Sequence, residues 1–203
     1  MMALVSKDLW NIRTAFVSMG ILAVVFISIF RDQGLMFMIA PIFFSTMVGS
    51  SLAVDDMCKW DLFAVSSGVR RRDIVRSKFV IGATASAIGC CLGIVLMLVF
   101  GITDGGIDYG VTLQMIVTGL MLALVICGLT IAVYFVTGDS TKGQYISIIV
   151  TMVAIVGLVS ASAVVSEILG DIIPVMGVVA ILCLVVVVLS YRASVSRFEA
   201  RDL

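Results

Sequence analysis

Residues 55–78 read Asp-Asp-Met-Cys-Lys-Trp-Asp-Leu-Phe-Ala-Val-Ser-Ser-Gly-Val-Arg-Arg-Arg-Asp-Ile-Val-Arg-Ser-Lys, between uncharged stretches at 35–54 and 79–100. That contrast decides the fold. A helix needs about 20 mostly apolar residues to cross a hydrocarbon core of about 30 Å. Both flanking stretches have that length. Four more uncharged runs follow the same pattern, at 14–30, 111–135, 145–166 and 172–191. The runs are apolar all round, so helical periodicity assigns them no preferred face. A barrel would show shorter runs of alternating polarity. The expected class is all-α: one polytopic transmembrane domain over residues 1–203 with six transmembrane helices.

Composition excludes the main competitors. Hydrophobic residues make up 62% of the chain and charged residues 13%, against about 45–50% and about 25% in soluble domains. Thirteen Lys+Arg balance thirteen Asp+Glu, so no net basic field invites nucleic acid. The chain has no His, which removes imidazole bases and His-ligated metal sites. Cys90, Cys91, Cys127 and Cys183 fall within the runs and Cys58 in the 55–78 segment. None is placed outside the cell, so no disulfide framework is expected.

Basic residues in short loops set orientation. Lys7, Arg13, Lys59, Arg70, Arg71, Arg72, Arg76, Lys78, Lys142, Arg192, Arg197 and Arg201 fall on one side, and Arg31 alone on the other. The expectation is a multi-pass protein of the plasma membrane with both termini and the 55–78 segment cytoplasmic. Asp32, Asp104, Asp108, Glu167 and Asp171 then lie outside. The first run is long for a signal peptide, and the Phe30-Arg31-Asp32-Gln33 that follows it is no small-residue cleavage site. Val5, Leu9, Ile12 and Phe16 recur at helical spacing, with Lys7, Asp8, Asn11 and Arg13 on the other face. This is an N-terminal amphipathic helix, either lying in the cytoplasmic interface or simply extending the first span.

The 55–78 segment holds ten charged residues yet also Trp60, Leu62, Phe63, Val65, Ile74 and Val75. A purely solvated loop needs no such apolar content. Ser66-Ser67-Gly68 breaks it into two short helical pieces, 55–65 and 70–78. Such a helix between spans suits docking into a groove of another protein. The competing reading is interfacial anchoring by basic and aromatic residues.

Polar groups inside the runs are small. The second run carries Ser45, Thr46, Gly49, Ser50 and Ser51, and the fifth Ser147, Thr151, Gly157, Ser160 and Ser162. Small residues let helices approach closely, and hydroxyls can bond back to their own helix. Packing alone explains each residue singly; together they place these two helices away from lipid. Gly89 and Gly93 form a GxxxG pair, and Pro41 is expected to kink the second helix. Ion-coupled carriers usually hold ionisable groups at depth, and none stands in these runs. Gly138-Asp-Ser-Thr-Lys-Gly143 does not match a phosphate-binding loop. Energy must therefore come from a partner, and 55–78 is the best place for one to attach.

The segment from Ser66 to Phe79 resembles the Ser-Leu-Pro-Val-Ser-Arg-Lys-Asp-Ile-Val-x-Ser-Lys-Tyr stretch of small type-2 ABC transporter permeases. Asp55-Asp56 and Lys59-Trp60 before it, Lys7-Asp8-Leu9 near the start and Ser190-Tyr191-Arg192-Ala193-Ser194 near the end are similar to other features of that family. Two departures stand out: Ser67 for Leu and Gly68 for Pro, which imply a looser start to the second short helix. The resemblance implies a permease subunit of an ATP-driven exporter, not an enzyme by itself, with no catalytic or metal-binding residues. ATP and Mg would bind two partner ABC ATPase subunits, and a second permease copy or paralogue would complete the membrane assembly.

It also implies that 55–78 forms a cytoplasmic coupling helix, with Asp56, Lys59, Trp60, Phe63, Arg70, Arg71, Arg72 and Asp73 docking the ATPase. Ser45, Thr46, Gly49, Ser50, Thr151, Gly157 and Ser160 would flank the translocation path or dimer interface. Within the family the likeness is to exporters of phenol-soluble modulins and related amphipathic peptides. Membrane lipid is the remaining partner. The alternative function is a non-transport immunity or scaffold protein that binds a toxic peptide.

Overall fold

A computed structural model of the chain describes residues 2–30, 33–103, 109–138, 140–169 and 172–200. Arg31, Asp32, Asp104, Asp108, Asp171 and Arg201 lie outside the described residues, as does the Glu167 side chain. Among the described residues seven helices follow in order: α1 Met2–Phe30, α2 Gln33–Met57, α3 Trp60–Ser66, α4 Arg71–Thr103, α5 Tyr109–Thr137, α6 Ser140–Leu169 and α7 Ile172–Glu199. No strand occurs among the described residues. Each of the six long helices contains one of the uncharged runs. Among the described residues α1, α4, α5 and α7 are long and apolar enough to cross a membrane, and α6 has a shorter apolar stretch, Tyr145–Gly157.

α2 and α5 form the centre. α2 packs against α4, α5 and α1, and α5 packs against α7, α6 and α4. The largest core cluster, at the end of the bundle carrying 55–78, joins Leu52, Val75, Ile131, Phe135 and Phe198, with Trp60, Phe79 and Tyr191 packed against it. Contact between α2 and α4 is close because Gly89 has no side chain. A Cβ there would stand 2.8 Å from both the Ala40 carbonyl oxygen and the Pro41 Cα. Gly89 of the pair read from sequence thus marks a helix crossing, and α2 continues through Pro41.

Three local differences from the sequence reading have physical causes. The piece expected at 55–65 is divided, because Lys59 adopts a left-handed conformation (φ 49°) and ends α2. The piece expected at 70–78 is no separate helix; it is the start of α4, with Asp73 in the first turn where the helix dipole favours an acid. The N-terminal stretch is continuous with α1, and its inward face is turned from the one expected. Ile12 is buried as read, but Asp8 is buried too, while Leu9 faces outward. The charged residue turns inward because Lys78 of α4 reaches it there.

Candidate functional site

α3 is a seven-residue helix held between two left-handed residues. Gly68 (φ 82°) closes it: its N–H donates to the Val65 carbonyl, and the Val69 N–H donates to the Ala64 carbonyl, both at 3.0 Å. This paired termination needs a residue that tolerates positive φ, and glycine does so without steric cost. The glycine gives a defined end to α3.

Beneath α3 lies a cluster of four charges from three helices. Lys78 of α4 is buried and forms ion pairs with Asp55 of α2 and, at 2.9 Å, with Asp8 of α1. It also donates to Ser51 Oγ at 2.8 Å. Lys7 pairs with Asp55 Oδ1 at 2.6 Å and lies 3.0 Å from Asp8 Oδ1. The Lys7 ammonium also sits 4.1 Å from the Trp60 ring centroid, a cation–π contact. Two cations and two anions cancel, which is how charges are tolerated at this burial. Trp60 thereby connects α3 to α1, and the ion pairs connect α1 to α2 and α4.

The sequence-derived docking residues divide by exposure. Lys59, Phe63, Arg70 and Arg72 are exposed; Asp56, Trp60, Arg71 and Asp73 are half-buried. Trp60 stacks on Phe63 with ring centroids 5.3 Å apart. Met57 and Leu62, outside the set expected to dock the ATPase, extend the exposed apolar surface beside Phe63. Two arginines are engaged within the chain. Arg71 donates to the carbonyls of Phe198 and Glu199 at 3.2 and 2.8 Å. Arg72 donates through Nε to Glu199 Oε1 at 2.5 Å. The end of α7 is thus fastened to the start of α4, a contact with no local sequence signal because its partners are more than 120 residues apart.

The residues read as flanking a path are mostly self-satisfied. Ser45 is buried and donates to the Ile42 carbonyl, Thr46 donates to that of Phe43, and Ser160 to that of Val156, each at 2.7–2.8 Å. Gly49 faces Thr130, whereas Gly157 opens onto empty space. Ser50 is exposed and Thr151 half-buried. α2 and α6 come together around Gly49, Ala53, Gly143 and Ser147, with Thr130 and Tyr134 of α5 between them. Further along, α6 presents Ile149, Met152, Val153 and Val156 outward.

The helical bundle thus carries a short helix, α3, braced from below between α2 and α4. The profile of the ABC-2 family transporter protein matches residues 3–199. The chain belongs to the ABC-2 transporter family. Membership makes this ABC-2 protein a membrane permease subunit of an ABC transporter, a class that works with ATPase subunits. No curated protein and no solved structure matches it.

Proposed function

We propose that this ABC-2 protein is the six-span permease subunit of an ATP-driven exporter that moves amphipathic or hydrophobic peptides out of the cell. The observation that carries the reading is α3, exposed at Leu62 and Phe63 beside the exposed Lys59 and tied through Trp60 to the charged cluster. In this reading α3 is the coupling helix on the cytoplasmic face. ATP-driven closure of two partner subunits pushes on it, and the Lys7–Asp55–Lys78 network carries the displacement to α1, α2 and α4. The bundle then exchanges inward for outward access. A second copy or a paralogue meets this chain along α2 and α6. The outward row of Ile149, Met152, Val153 and Val156 supports that pairing, and its apolar character suits a peptide with a hydrophobic face.

Phe63→Asp tests the docking role. The side chain is largely exposed, so stability should change by no more than about 0.5 kcal/mol. Membrane insertion should persist, while co-purification of the ATPase subunit and peptide-stimulated ATP turnover in proteoliposomes should be lost. Unchanged turnover would remove α3 from the coupling role. Protection of cells from a toxic peptide by this chain alone, without any ATPase, would favour the immunity reading.

Orientation has its own check. Cys58 is exposed beside α3, whereas Cys90, Cys127 and Cys183 are buried, and the exposed Cys91 stands inside the uncharged 79–100 run, where a water-soluble reagent does not reach it. A membrane-impermeant maleimide should label Cys58 in inverted vesicles and leave it unlabelled in intact cells. The opposite pattern would place the hairpin outside.

A further inference from the structure

A cleft of about 620 Å³ opens between the start of α4 and the end of α7, lined by Arg72, Arg76, Tyr191, Arg192, Ser196 and Glu199. We propose that it binds the phosphate headgroup of an anionic phospholipid. Arg72 is neutralised by Glu199, which leaves Arg76 and Arg192 as the cationic pair of the cleft. Arg76 donates through Nε to the Tyr191 hydroxyl at 3.1 Å. That bond fixes the guanidinium plane without using its terminal nitrogens, and a fixed guanidinium fork matches phosphate oxygens.

Depth supports a lipid over a soluble anion. Tyr191 ends the last uncharged run, and Arg76 lies just before the run that starts at Phe79. The two rings pack edge-to-face at 5.4 Å, so the cationic pair stands where apolar helix surface gives way to water. On the membrane side the same two helices expose Val80, Val185, Val188 and Leu189, a wall for acyl chains. Basic pockets between spanning helices recognise anionic headgroups in this way.

The test uses the full-length chain in neutral detergent, with bound lipid counted by native mass spectrometry. Phosphatidylglycerol, phosphatidylcholine and inorganic phosphate are the probes. Phosphatidylglycerol should be retained and phosphatidylcholine should not. Arg76→Gln/Arg192→Gln should weaken phosphatidylglycerol retention about tenfold or more, while Arg13→Gln, at an exposed arginine on α1, should not. Inorganic phosphate at the same concentration should fail to displace the lipid. Equal retention by the double variant, equal retention of phosphatidylcholine, or displacement by phosphate would overturn the proposal. So would a double variant that keeps the lipid but loses the ATPase subunit, since the cleft would then belong to a protein partner. None of these readouts involves transport, so the lipid site can fail while the export reading stands.

Discussion

Lys78→Met should be among the most damaging single substitutions in the chain. It leaves Asp8 and Asp55 sharing only Lys7, with both carboxylates buried. Removing one partner of a buried pair typically costs about 3–5 kcal/mol, because the remaining charge is uncompensated. Thermal unfolding in detergent should report a marked loss of stability. The decisive comparison is Lys78→Met/Asp55→Leu, which removes one charge of each sign and leaves Lys7 facing Asp8. Its stability should recover by more than half of the loss. A double variant as unstable as the single one would mean that Lys78 acts by its shape and not its charge.

Gly89→Leu should disrupt the bundle by a different route. Even a Cβ at this position stands 2.8 Å from the backbone of Ala40 and Pro41, and backbone cannot rotate away as a side chain can. α2 and α4 would have to separate, and overpacking of this kind costs about 1–3 kcal/mol or more. Gly89→Ala should show a smaller loss in the same direction. Gly157→Ala, where a Cβ would meet nothing within 4 Å, is the matched control and should leave protease resistance unchanged. A Gly89→Leu variant as resistant as the parent would show that the crossing tolerates separation.

The helical class was legible because exclusion of charge from 35–54, 79–100 and the other runs is a length-scale signal that needs no tertiary information. Gly68 could be read as a break for a similarly local reason: positive φ is a property of one residue. The charged cluster was hidden. Asp55 and Lys78 fall just outside uncharged runs, and Lys7 and Asp8 precede the first of them, where a sequence reading assigns all four to water. Their burial depends on three helices meeting at one level, which no single segment encodes. The spacing of Asp8 and Ile12 on one helical face held a clue, but an acid there ordinarily argues for exposure. The hold on Arg71 is invisible in the sequence for the same reason: the carbonyls of Phe198 and Glu199 that engage it stand more than 120 residues further along the chain.

All members of the charged cluster stand within the first 78 residues. During synthesis, which runs from the N-terminus, that half of the bundle can close as soon as α4 has emerged, before α5 to α7 exist. Helix α7, made after them, then finds its place on Arg71 and Arg72 at the start of α4. Ribosome-bound chains cut after α4 should therefore already protect Lys7 from amine-reactive reagents, whereas chains truncated before Lys78 should leave it open to modification.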